Sequence, residues 1–168
     1  ENKPSPMTAP GFCMLLRKHL SSARIGSISQ PGLERVVEFE LEHLNELGDP
    51  CKKYLIVELM GKYSNNNFCD ENRMILDSIK HVSSHMSSIR EVLPGRDYFL
   101  PQTQEKYDPL TIAEKDFRNV VCKKPCNIAK AIYTTLTGIS PLIAEEICYR
   151  ASIDGNDAAQ SQIGRAHV

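Results

Sequence analysis

Val37-Glu38-Phe39-Glu40-Leu41-Glu42 is the stretch on which the fold turns. Its apolar and acidic residues alternate with a period of two, so one row of side chains faces a core and the other faces water. A strand with Val37, Phe39 and Leu41 buried and the three glutamates solvated is expected. Upstream, Arg24 to Gln30 holds Ile25 and Ile28, which do not alternate cleanly, and Pro31-Gly32 follows as a turn, giving strand, turn, strand. Downstream, Tyr54 to Met60 is a more continuous apolar run broken by Glu58, as in a central, well-buried strand. Phe68-Cys69 and Met74-Ile75-Leu76 flank Asp70-Glu71-Asn72-Arg73, a hairpin-turn composition. Asn65, Asn66 and Asn67 are poor strand formers.

Before these strands, Phe12, Met14, Leu15, Leu16, His19 and Leu20 form an apolar stripe at helical period, with Arg17 and Lys18 opposite. Three prolines and little periodicity between Pro94 and Pro109 predict a linker. Beyond it the period changes to that of helices, over 111–121, 127–136 and 140–151. Thr137-Gly138-Ile139-Ser140-Pro141 joins the last two. Ile128, Ile132, Leu136, Leu142, Ile143 and Ile147 recur at helical spacing and predict a shared core between those helices. The turn is compatible both with a plain helical hairpin and with one whose backbone amides hold a phosphate.

The fold class expected is therefore α+β: a β domain with an amphipathic helix, and then a small helical domain. The boundaries read as 1–108, 109–154 and a tail of 155–168. The start at Glu1 with three prolines in ten residues reads as a cut from something longer, and 162–168 as a translated sequencing adaptor.

Of the 168 residues, 41% are hydrophobic and 24% charged, which suits ordered domains, and no apolar run reaches the roughly eighteen residues of a membrane span. The formal net charge of −1 excludes a strongly basic protein that grips nucleic acid by charge alone. Charge is unevenly distributed, however. Arg17, Lys18, Arg24 and Arg35 precede Glu38, Glu40, Glu42, Glu46 and Asp49, and separate basic and acidic surfaces are expected. The six cysteines lack the density of a secreted scaffold and read as buried thiols. Cys122 and Cys126 have a zinc-compatible spacing without a second pair.

Glycine loops for phosphate, zinc-protease histidine pairs and Gly-x-Ser-x-Gly elbows are absent, so neither a catalytic centre nor a cofactor or metal is expected. Ser83 to Ser88 around His85 reads as a solvated loop. Between Arg73 and Arg96, Lys80, His81, Arg90 and Arg96 stand among serines, the residue types that commonly hold phosphates.

Phe12 to Leu20, Gln30-Pro31-Gly32-Leu33-Glu34-Arg35, Glu58-Leu59-Met60-Gly61-Lys62-Tyr63-Ser64-Asn65 and Val92-Leu93-Pro94-Gly95 together resemble the NFACT N-terminal domain of the RqcH and fibronectin-binding protein A family. The resemblance runs from Pro10 to Ala151. It implies a truncated β domain related in fold to formamidopyrimidine-DNA glycosylases, then a helix-hairpin-helix domain. It further implies a cytoplasmic ribosome quality control factor, which binds the large ribosomal subunit carrying peptidyl-tRNA, recruits alanyl-tRNA and promotes alanine tailing without an active site of its own. The family's Asp-Arg pair corresponds to Glu34-Arg35, so Gln30, Glu34 and Arg35 are expected at the tRNA. Lys62, Ser64, Asn65, Lys80, His81, Arg90, Arg96 and Gly138 are further candidates for RNA phosphate. A surface adhesin and a glycosylase-like DNA-binding protein are the competing functions.

Overall fold

A computed structural model describes residues 4, 6–87, 90–101 and 105–164. The contacts divide the chain into two units. One comprises Glu1–Pro31 with Arg35–Pro101, the other Gly32–Glu34 with Gln102–Val168.

The first unit begins with α1 (Gly11–Leu20) and continues as an antiparallel meander of β1 (Arg24–Ser29), β2 (Val36–Leu44), β3 (Pro50–Glu58), β4 (Asn65–Cys69) and β5 (Ile75–Ser78), with neighbours in chain order. A bulge at Gly26 breaks the β1–β2 register, so Ile25 faces Leu41 and Ile28 faces Phe39 although three residues separate the two isoleucines. That extra residue explains why Arg24 to Gln30 lacks a clean alternation.

The glutamates of β2 do not form the solvated row expected of them. Glu38 is buried on the same side as Val36, and Arg73 grips it with two bonds of 2.8 Å. Arg73 also lies over the Tyr54 ring, 4.7 Å from its centroid. Glu40 meets Lys52 at 2.9 Å and Glu42 meets Arg24 at 2.5 Å. Each of the three β2 glutamates thus meets a basic side chain, and Arg24, expected on a separate basic surface, is one of these partners. Leu41 is buried as expected, whereas Val37 and Phe39 are only half-buried.

The asparagine run is also a strand, against its propensity. Asn65 is held by Lys80 in both directions, donating Nδ2 to the Lys80 carbonyl and accepting the Lys80 amide, each at 2.9 Å. Asn67, fully buried, donates to Glu58 at 3.1 Å. Tertiary partners override local preference here. Glu58 in turn receives Arg90 Nη2 at 2.6 Å and the Tyr98 hydroxyl at 2.9 Å. The apparent interruption of the β3 apolar run is therefore the centre of a buried polar network.

The core on this side contains Val36, Ile56, Cys69, Ile75, Val92 and Tyr98. Tyr98 comes from the segment expected to be a linker, and Val92 lies just before it. That segment is tied to β5 and the turn before it: the amide of Ile75 donates to Arg96, that of Gly95 to Ile75 and that of Tyr98 to Arg73, each at 2.8 Å. Burial pushes the Cys69 thiol up to about 12.

The second unit contains α2 (Glu114–Val120), α3 (Ile128–Thr135) and α4 (Pro141–Arg150), with a closing 3-10 turn at Ala159–Gly164. Asn127 caps α3 by accepting the Lys130 amide, and Ser140 caps α4 by accepting that of Ile143. Ile128, Ile132 and Leu136 are buried as expected, but Leu142, Ile143 and Ile147 are exposed, and α4 buries Ala144 and Cys148 instead. Two small residues four apart allow close approach of the packed helix, which turns the larger side chains outward.

Candidate nucleic-acid interface

Gln30 is exposed at the end of β1, and Arg35 is exposed immediately before β2. The Arg35 carbonyl accepts the Leu59 amide at 2.8 Å, which fixes its backbone while leaving the guanidinium at the surface. Glu34 is half-buried and belongs, with Gly32 and Leu33, to the helical unit.

A second cluster forms where the turn before β4 meets the end of β5. Lys80 Nζ donates to the Lys62 carbonyl at 2.9 Å, so the loops bearing both lysines are joined. Lys62 Nζ lies 4.9 Å from the centroid of the exposed Tyr63 ring. Ser64 and Asn65 build this cluster from within: Ser64 Oγ accepts the Met60 amide at 2.9 Å, while Asn65 holds the Lys80 backbone. Both lysines are exposed. A cation beside an exposed aromatic ring is suited to a phosphate with its neighbouring base. Tyr63 is a feature that charge pattern alone did not single out.

The other basic candidates have protein partners. His81 Nε2 lies 2.7 Å from Asp77, and Arg96 Nε lies 3.1 Å from Glu91. Arg90 is the most committed, donating to both Glu58 and the Phe99 carbonyl. Two of its donors are used inside the protein, and of these basic candidates Lys62 and Lys80 are exposed without a carboxylate partner among the described residues, with Arg35 as a separate exposed cation.

Gly138 has φ +74, a left-handed conformation, and a Cβ there would lie 3.0 Å from Leu33 Cβ. Gly138→Ala is accordingly expected to lower stability by about 1 to 2 kcal/mol through backbone strain, measured by chemical denaturation; an unchanged midpoint would contradict the left-handed turn. At the start of α4 the Ile143 amide is already held by Ser140 at 3.2 Å, and Pro141 has no N–H. Among the described residues there is no group of three or more His, Cys, Asp or Glu side chains that could hold a metal ion, and no helix long and apolar enough to cross a membrane.

The fold is similar to that of solved bacterial fibronectin- and fibrinogen-binding proteins. The N-terminal structure from Streptococcus suis matches with a TM-score of 0.76 and 29% identity, over 97% of this chain and 61% of that one. The fibrinogen-binding protein from Staphylococcus aureus matches with a TM-score of 0.75 and 32% identity, over 96% and 60%. Residues 1–166 match the family model for NFACT N-terminal and middle domains, and the chain belongs to that family. The Rqc2 homolog RqcH of Bacillus subtilis is 41% identical over 150 residues, which is 89% of this chain and 26% of the relative. The human ribosome quality control complex subunit NEMF is 25% identical over 153 residues, 91% of this chain and 14% of that protein. The chain thus spans about a quarter of its bacterial relatives.

Proposed function

We propose that this chain is the tRNA-handling part of a ribosome-associated quality control factor. In this reading the full protein works in the cytoplasm, binds the large ribosomal subunit carrying peptidyl-tRNA, recruits alanyl-tRNA and promotes alanine tailing. It supplies no catalytic residues, metal or cofactor: the bond is made by the ribosome, and the protein's contribution is to hold a tRNA in place. The glycosylase-related β domain and the helix-hairpin-helix reading of α3 and α4 belong to the same proposal.

The observation that carries it is Arg35, an exposed guanidinium on a fixed backbone at the position corresponding to the arginine of the family's Asp-Arg pair. Glu34 keeps the charge of the aspartate with one more methylene. The Lys62–Lys80 cluster adds phosphate contacts that are independent of sequence.

Charge reversal at Lys62 and Lys80 in the full protein is expected to reduce the salt slope of tRNA or subunit binding by about 1 to 2, since each phosphate contact contributes roughly 0.7 to 0.9. Binding measured from low to moderate salt decides the point. An unchanged slope would leave these lysines as ordinary surface charges.

A second reading, adhesion, is favoured by the names of the solved relatives, which describe fibronectin and fibrinogen binding. It predicts saturable fibronectin binding by the full protein that survives loss of Arg35.

A further inference from the structure

α1 packs on the sheet without burying any of its own residues completely. His19, in its last turn, makes the ring contacts with the strands beneath: its centroid lies 5.7 Å from that of Phe68 in β4, which is fully buried, and 6.1 Å from that of His43 in β2. His43 is held at both nitrogens. Nδ1 donates to the Leu44 carbonyl at 3.0 Å, and Nε2 accepts from Lys53 Nζ at 2.9 Å. An ammonium group of β3 is thereby fixed beside the imidazole against which His19 packs. The other charged groups acting on His19 are Lys18 of its own helix and Glu46 of the β2–β3 turn. Cys51 of β3 lies against His43 and donates to the His43 carbonyl at 3.4 Å. Asp77, on the β5 strand that α1 also touches, is engaged by His81 at 2.7 Å.

We propose that the docking of α1 on the sheet is a pH-sensitive latch, closed while the His19 ring is neutral and released when that ring takes up a proton. An imidazolium here would stand against a buried benzene ring in place of water, and beside the ammonium groups of Lys53 and Lys18. The ring is accordingly held below the usual histidine range, first by burial and then by Lys53, Lys18 and His43, against the opposite pull of Glu46. The carboxyl end of a helix attracts a cation. In α1 that pull is weakened, because the Arg17 carbonyl already takes the Ser21 hydroxyl at 2.8 Å and the Leu20 carbonyl takes the Ala23 amide at 3.1 Å. Since the docked ring holds its proton less firmly than a free one, docking is strongest above the model histidine value of 6.5 and weakens as pH falls through it. Each unit between the docked and free values multiplies the undocked population about tenfold. A helix with no fully buried residue has little apolar burial to set against that change. The latch does not rest on tRNA handling.

Amide hydrogen exchange of the full protein, followed by peptide mass spectrometry at about pH 7.5 and about pH 5.5 and corrected for intrinsic exchange, separates the helix from the strands. Protection of the α1 amides is expected to fall by about fivefold or more between the two conditions, while that of β3 holds. His19→Phe keeps a ring against Phe68 but takes up no proton, so α1 should stay protected at both. Lys53→Met removes the neighbouring ammonium and should shrink the fall; it decides the matter if His19→Phe leaves α1 unprotected throughout. The proposal is overturned by wild-type α1 protection that does not change with pH, by a fall in α1 matched in β3, by a fall that persists undiminished in a docked His19→Phe variant, or, where that variant is undocked, by an undiminished fall in Lys53→Met.

Discussion

Arg90→Ala is expected to destabilise the sheet unit by about 3 to 5 kcal/mol, because removing one partner of a buried ion pair leaves the other charge without compensation. The Glu58 side chain is fully buried and that of Arg90 is 17% exposed. Tyr98 and Asn67 donate to the Glu58 carboxylate but carry no charge, so they solvate it without neutralising it. Arg90 additionally ties its segment to the Phe99 carbonyl at 2.8 Å, and that contact is lost too. Urea unfolding of the wild type and the variant measures the effect. Glu58→Gln in the Arg90→Ala background should recover part of the loss, since it removes the orphaned charge while keeping an acceptor for Tyr98. An unchanged unfolding midpoint, accompanied by weaker RNA binding, would make Arg90 a candidate phosphate contact instead.

Much of this architecture was legible in the sequence because its periods are local. The hairpin around Asp70 to Arg73, the strand pair flanking Pro31-Gly32 and the three helices after Pro109 follow from residue spacing and turn chemistry. What escaped depends on partners distant in the chain. Glu38 reads as a solvent-facing residue until Arg73, 35 positions away, supplies its counter-charge. Asn67 reads as a strand breaker until Glu58 takes its amide. Tyr98 sits in a proline-rich stretch whose backbone bonds to β5 and its preceding turn have no sequence signature. For α4, periodicity located the helix correctly but not its buried face: large apolar residues were weighted above Ala144 and Cys148, which close packing favours.

The site was legible in a different way. Arg35 and the Lys62 loop stand on the family resemblance, and charge pattern alone would have ranked Arg90 and Arg96 equally with Lys80. Geometry separates them, because only coordinates reveal which cations already have internal carboxylates.

Arg35→Ala in the full-length protein is the measurement closest to the central claim. Arg35 lies outside the buried ion-pair network, and its carbonyl, which alanine retains, accepts the Leu59 amide. The substitution should therefore leave the fold intact and remove only a surface guanidinium. Stalled large subunits are incubated with wild-type or variant protein and charged alanyl-tRNA, and subunit co-sedimentation and nascent-chain alanine addition are followed in the same samples. The account predicts that tailing is abolished while co-sedimentation is largely retained. Tailing at the wild-type level with Arg35→Ala would contradict it.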